Sequence, residues 1–292
     1  MPDISLRSFS YAYHHPKKVL HNINITVEKG SFTVILGPSG AGKTTLCLAV
    51  AGAVPHYFGG SSAGEVHVAG IHTQKSTMHD LALTVGTVLQ DYETQLVTMT
   101  VEEEVSFSLE NRGTDPVEIT HRVKEVLEKV GLIGYEKELV TDLSGGQKQR
   151  LVLASVLATN PNILVLDEPT SALDPEGTAS LYRLLGKLNK EQGITILVVE
   201  HDIATLLPYA DQFILLENGQ LILSDTPENV LYFMNTNQIF AEAIPPLWQL
   251  KFLLEKQTPY KFSPWRQEED AIAELEQVFP KEVTKNAYTT EH

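Results

Sequence analysis

Two short stretches of this chain carry the kind of residues that handle phosphate. Gly37-Pro38-Ser39-Gly40-Ala41-Gly42-Lys43-Thr44 sets glycines around a lysine and a threonine. Glycine lets a backbone wrap closely around an anion, with no Cβ in the way. The freed N–H groups, and the positive end of the helix that follows, attract the anion. At this spacing Lys43 reaches the terminal phosphates of a nucleotide, and the Thr44 hydroxyl binds Mg²⁺. The second stretch is Ile163-Leu164-Val165-Leu166-Asp167-Glu168, four apolar residues ending in paired carboxylates. Parallel sheets bind ligands at the carboxyl ends of their strands. There Asp167 would hold Mg²⁺ through water, and Glu168 would orient or deprotonate an attacking water. Alone, the pair would read as a solvated turn. Beside a phosphate loop, the catalytic reading prevails.

A third stretch, Leu143-Ser144-Gly145-Gly146-Gln147, opens an apolar helix beginning near Leu151. Ser-Gly-Gly at a helix start is again an anion site, and one triphosphate on one chain has no obvious need of two. The stretch resembles the LSGGQ signature of ATP-binding-cassette (ABC) ATPases, and the resemblance extends over about residues 4–225. It implies ATP and Mg²⁺ as cofactors, with the ATP phosphates held by Gly37 through Thr45. The signature loop, Leu143 to Gln147, would cap the γ-phosphate of the nucleotide held by a second ABC ATPase subunit. Gln90 would sense Mg²⁺ and the attacking water. Ser171-Ala172-Leu173-Asp174 resembles the D-loop that links the two sites of the dimer. His201, 33 residues after Glu168 and behind a buried strand, resembles the switch histidine that contacts the γ-phosphate. Tyr11 is similar to the aromatic that stacks on adenine. Tyr13 is its rival, because His14-His15-Pro16-Lys17-Lys18 looks inserted and blurs the register. Both tyrosines could instead pack the first strand.

Several elements must position these residues. Ile4, Leu6 and Phe9 read as one strand, and Ile23, Ile25 and Val27 as another. Ser31–Leu36, Ile163–Leu166 and Thr195–Val199 are short apolar runs, as in strands buried on both faces. Gly59–Gly64 reads as a loop before a strand at 65–69. Helices are predicted at 46–53, 116–130, 151–159 and 178–190. Strands alternating with helices imply an α/β fold around a parallel sheet. The resemblance makes it a P-loop, RecA-like nucleotide-binding domain over 1–225, with an antiparallel β subdomain and an inserted helical subdomain at about 92–158. Residues 226–292 would form a C-terminal helical extension. Two apolar stripes there, at 244–250 and at Ala271, Ile272, Leu275, Val278 and Phe279, would pack on the domain itself or hold a dimer.

The 292 residues include 22 Lys and Arg against 37 Asp and Glu, a net charge of −15. That balance disfavours a nucleic-acid surface. The single cysteine, Cys47, excludes an internal disulfide and suits a reducing compartment and a core position. No apolar run approaches the roughly 20 residues that a spanning helix needs, and the N-terminus shows no secretory signal. The chain is expected as a peripheral subunit on the cytoplasmic face of a membrane.

Pro55–Gly60, Leu89–Leu96 and Thr100–Asn111 are similar to the ATPase subunit of energy-coupling-factor importers. That resemblance implies uptake of a vitamin or a transition-metal ion, through integral membrane subunits whose coupling helices meet residues 91–111. Asp91-Tyr92 departs from the commoner Asn-Pro after the glutamine. Leu96, Val97, Met99 and Val101, beside Glu102-Glu103-Glu104, would dock that partner or pack within the helical subdomain. The competing class is a soluble cassette protein acting on chromosomes or ribosomes. The chain lacks the long coiled-coil insertion of the first and the tandem cassettes of the second. Intact Glu168 and His201 speak against a non-catalytic cassette. A homodimer and a heterodimer with a related ATPase are equally open.

Overall fold

The apolar runs Phe32–Leu36, Ile163–Asp167 and Thr195–Val199 are buried at every position, as strands must be when helices cover both faces of a sheet. The computed structural model describes residues 2–14 and 16–279. Within them the strands are β1 (Ile4–Ala12), β2 (Leu20–Val27), β3 (Phe32–Leu36), β4 (Ser61–Val68), β5 (Ile71–His72), β6 (Val85–Val88), β7 (Ile163–Asp167), β8 (Thr195–Val199), β9 (Gln212–Glu217) and β10 (Gln220–Asp225). An antiparallel sheet runs β2-β1-β4-β5, and a second runs β10-β9-β3-β8-β7-β6. The second is parallel except at β10.

Its register matters most for function. Ile35 and Asp167 both pair with Val199, and Val88 pairs with Leu166. Four neighbouring strands therefore end level, and the chain leaves each of them on the same edge. The antiparallel sheet differs from expectation in one place. Ser61, Ser62 and Ala63 are not loop but pair with Ala12, Tyr11 and Ser10 of β1. Serine, alanine and glycine have little strand preference of their own, so the partner strand sets this conformation.

The helices Val101–Asn111, Pro116–Lys129 and Gly145–Ala158 lie between β6 and β7 in sequence. Each has a local start signal. Thr100 with Glu103, and Ser144 with Gln147, form capping boxes, and Asp115 caps a helix with Pro116 in its first turn. Val105, Val126, Leu127 and Leu151 pack the helices together. The acidic run, open to docking a partner or packing within the subdomain, is largely used inside this unit. Val101 is fully buried and Leu96 half-buried against the core. The Oε2 of Glu104 accepts from Val97 N, Thr98 N and Thr98 Oγ1, each at 2.9 Å. Glu103 caps Thr100, and Glu102 pairs with Lys137. Only Val97 and Met99, 62% and 77% exposed, remain on the surface.

The helices Pro227–Asn237, Pro246–Gln257 and Glu268–Val278 pack on the same chain. Met234, Ile244 and Trp248 enter the main core. Lys251 is buried with its ammonium 4.8 Å from the ring centres of Tyr232 and Trp248, and it donates to Tyr232 Oη (2.6 Å) and Glu255 Oε1 (3.1 Å). Arg266 pairs with Glu228 and donates to the Ala210 carbonyl at 2.8 Å. The C-terminal residues 280–292 lie outside the described residues.

Two arginines bind the carboxyl end of Gly145–Ala158. Arg122 donates from Nε to Ala158 O (3.0 Å) and from Nη2 to Leu157 O (2.7 Å), and it pairs with Glu125. Arg112 donates to Thr159 O and Ala82 O. These satisfy carbonyls that a helix end leaves unpaired. Arg122→Ala should therefore lower stability by about 1–3 kcal/mol and the melting temperature by several degrees in a thermal scan. Arg122→Lys should rescue little, because one ammonium cannot span two carbonyls as the guanidinium fork does.

Candidate nucleotide site

The turn after β3 carries the phosphate loop. Gly37 has φ +144°, and a Cβ there would stand 2.1 Å from the Leu216 carbonyl oxygen of β9, so only glycine fits. The helix Lys43–Val50 follows, with its N-terminus facing the loop. Lys43 is buried and donates to Gly37 O (2.8 Å) and Pro38 O (3.0 Å) of the same loop. Burial pushes its ammonium pKa down, and the Glu168 and Asp167 carboxylates push it back up.

Asp167 ends β7 and is 1% exposed. Burial raises its pKa, the nearby Thr44 hydroxyl opposes that, Glu168 adds to it, Lys43 opposes it, and Glu200 adds to it. Neither carboxylate oxygen has a partner of ordinary hydrogen-bond geometry. The influence of Thr44 is thus proximity rather than a formed bond. A desolvated carboxylate without a donor, beside a threonine hydroxyl, is a hard-oxygen set of the kind that suits Mg²⁺. Cys47, one turn along the helix, is buried, and burial raises its thiol pKa well above the ordinary value.

Glu168 sits at φ +52°, a conformation that costs a non-glycine residue energy and concentrates at functional sites. Its side chain meets two others. Gln90 Nε2 donates to Oε2 at 2.9 Å, and His201 Nε2 lies 3.0 Å from Oε1. The three residues come from the ends of β6, β7 and β8. The level strand ends thus gather the phosphate loop, Asp167, Glu168, Gln90 and His201 in one place.

The signature residues stand apart. No hydrogen bond among the described residues joins Leu143–Gln147 to the phosphate loop. Leu143 is buried, while Ser144 and Gly145 are exposed at the helix start. Ser144 accepts from Gln147 N, and Gln147 Oε1 accepts from Ser144 N. Their neighbours are Tyr92 and residues 172–173, and Lys148 pairs with Glu93 at 3.0 Å. In the D-loop, Asp174 caps the helix Pro175–Gln192, accepting from Gly177 N at 2.7 Å.

One assignment is corrected. Tyr11, expected to stack on adenine, is fully buried, and its hydroxyl donates to Gly59 O at 2.6 Å. It lies inside β1, paired with Leu20 and Ser62, where no ligand reaches its ring. Tyr13 lies just past the end of β1, half-buried and edge-on to Tyr11, with its hydroxyl 3.3 Å from Thr45 Oγ1. Two polar residues escaped the sequence reading. Gln149, buried in the helix after the signature loop, donates to Ser171 Oγ (3.4 Å) and Glu168 O (3.5 Å) and accepts from Ala172 N (3.3 Å). Glu200, beside His201, is also buried. The available signal was a polar residue at an apolar-face position, or directly after a buried strand.

The ABC transporter family model matches residues 20–171 of this chain. A protein of Pyrococcus abyssi, assigned as an ABC transporter ATP-binding protein, is 40% identical over 254 residues, 87% of this chain and 91% of that one. The chain belongs to the ABC transporter ATP-binding proteins. It is a cassette ATPase. Among solved structures, cbiO1 of Clostridium perfringens, part of the ABC transporter complex cbiONQ, superposes with a TM-score of 0.70. It is 31% identical and covers 80% of this chain and 95% of its own. The dimeric cassette MJ0796, bound to ADP and Pi after hydrolysis, gives 0.67 at 29% identity, over 76% of this chain and 98% of its own.

Two expectations follow for the cassette. Glu168→Gln should bind ATP but lose turnover by at least about a hundredfold, read by phosphate release and by nucleotide binding on the same sample. Near-normal turnover would remove Glu168 from the chemistry. Asp167→Asn should raise the melting temperature of the nucleotide-free chain at pH 7. The folded pKa of Asp167 lies above its unfolded value, so ionisation costs stability as pH rises past the unfolded value, and fully above the folded one. The gain should fade as pH falls below the unfolded value, and Mg²⁺-dependent turnover should fall.

Proposed function

We propose that the chain is the ATP-hydrolysing subunit of an importer of the energy-coupling-factor type, taking up a small nutrient of the vitamin or metal-ion class. Two cassettes, identical or related, sandwich two ATP molecules, each between one subunit's phosphate loop and the other's Ser144 loop. Exposure of Ser144 and Gly145, away from their own chain's phosphate loop, supports that arrangement. Tyr13 borders the adenine in place of Tyr11. Lys43 and the loop amides hold the β- and γ-phosphates. Thr44 and Asp167, with Gln90 at hand, would hold Mg²⁺, which would supply charge neutralisation on the phosphates. Glu168 exchanges a contact with Gln90 or His201 for the attacking water and takes its proton as the water oxygen bonds to the γ-phosphorus. The bond to the ADP oxygen breaks, and phosphate leaves. Loss of the bridging charge opens the dimer.

The observation that carries the transport reading is a set of exposed apolar side chains on one neighbourhood of the fold. Tyr57 and Met99 are each 77% exposed, and Phe58, Met78, Leu83 and Val97 are exposed with them. Tyr57, Phe58, Met78 and Leu83 border or line clefts whose walls also include Thr87 and Gln95, beside Val97. An apolar surface of this kind marks a partner site, and similarity to cbiO1, itself part of a transporter complex, supports a membrane partner. Among the described residues no helix is long and apolar enough to cross a membrane, so attachment would be peripheral, on the cytoplasmic face. Met99→Glu tests this. Co-expressed with the membrane subunits that co-purify with the parent chain, the variant should keep its melting temperature and basal ATPase but fail to co-purify with them. Unchanged co-purification would place the docking surface elsewhere.

A further inference from the structure

Glu200 is the last residue before His201 and is 7% exposed. Among the described residues no lysine or arginine pairs with it. Three donors meet its carboxylate instead. The Tyr182 hydroxyl, from the helix Pro175–Gln192, donates to Oε1 at 2.7 Å. The Thr170 hydroxyl donates to the same oxygen. The backbone N–H of His201 donates to Oε2 at 3.1 Å. A buried carboxylate without a cation is costly, and an apolar residue after β8 would fill the same space more cheaply.

Its donors belong to the parts that must be set for hydrolysis. Thr170 lies two residues after Glu168 and directly before Ser171 of the D-loop. Gln149 grips the other side of the same turn, through Ser171 Oγ and Ala172 N. Tyr182 anchors the network to the helix that Asp174 caps. The turn from Glu168 to Leu173 is therefore clamped between Glu200 and Gln149, and the Glu200 clamp is shared with the backbone of His201.

We propose that Glu200 is a positioning residue for ATP hydrolysis, whose carboxylate holds the backbone of His201 and the side chain of Thr170 in one geometry. The switch histidine and the D-loop then shift together rather than separately. The inference rests on the reading of His201 and residues 171–174 as parts of the hydrolytic site. It requires acceptor geometry rather than charge. A glutamine at 200 can accept from His201 N through its carbonyl oxygen and donate its amide to the two hydroxyls, which can turn to accept.

The test compares kcat and KM for ATP, per folded full-length chain, well below the melting temperature. Glu200→Ala should lower kcat about tenfold with KM changed less than about twofold. Glu200→Gln should return kcat to within about threefold of the parent. Thr170→Val, which removes one donor and leaves the carboxylate two, should lower kcat by a smaller factor at constant KM. A folded Glu200→Ala chain with parental kcat overturns the proposal. So does a Glu200→Gln chain as inactive and as destabilised as the alanine variant, which would mark lost packing. If Glu200→Ala does not fold, Thr170→Val decides, and parental kcat there overturns the proposal. His201→Ala separates the two readings. If it keeps parental kcat, the assigned hydrolytic role of His201 fails. If it is inactive while Glu200→Ala is normal, only the positioning role fails.

Discussion

The hydrogen-bond ladder that makes β3, β8, β7 and β6 end level is the constraint on which the rest of the structure depends. The strands are short and largely apolar, and apart from Asp167 at the end of β7 they carry no chemistry themselves. Their register delivers the phosphate loop, His201, the Asp167-Glu168 pair and Gln90 to one edge, though these are far apart in sequence. A slip of one residue in any pair would turn the following side chain to the other face. The placement of these groups is thus set by backbone pairing.

The site is kept in a state a stable core would avoid. Asp167 is buried without a hydrogen-bond partner, and Lys43 is buried against loop carbonyls. Glu168 occupies a backbone conformation that disfavours side chains. Each is a local cost, repaid by the packing of large apolar clusters on both faces of the sheet. Electrostatic interactions are stronger around the buried Asp167 and Lys43 than at the exposed Gln90 and His201. Groups arranged before the substrate arrives need little reorganisation when charge develops on it.

The appended parts are tied to this edge by polar side chains with few alternatives. Arg112 and Arg122 lock the end of the helix whose start carries Ser144, and Glu104 pins the turn that bears Val97 and Met99. Lys148 and Glu93 join that same helix to the segment after Gln90. The Tyr92 hydroxyl also approaches Gly145, so the segment after Gln90 lies against the start of the signature helix. The C-terminal helices attach through Trp248 in the core and through Arg266 on the Ala210 carbonyl, just beyond the helix that follows His201.

Much of the site was legible in the chain itself, because the phosphate loop, the carboxylate pair and the signature loop are local patterns. Glycine is required where a Cβ meets a neighbouring strand, and four apolar residues before two acids bury a strand whatever surrounds it. Asp115 followed by Pro116 likewise opens a helix where apolar spacing predicts one, whereas the helix that Thr100 caps is not marked by spacing alone. What the sequence could not decide is which side of a structure a residue meets. Tyr11 and Tyr13 differ by two positions, and only the pairing of β1 with β2 and β4 shows that the first is sealed beneath the sheet while the second stands past its end. The run from Leu96 to Glu104 reads as one amphipathic surface. Tertiary packing splits it, because unpaired amides at Val97 and Thr98 recruit Glu104 and the core takes Val101. Glu200 and Gln149 were invisible for the same reason. A buried polar residue declares its purpose only through its partners, and those come from segments brought together by the folded sheet.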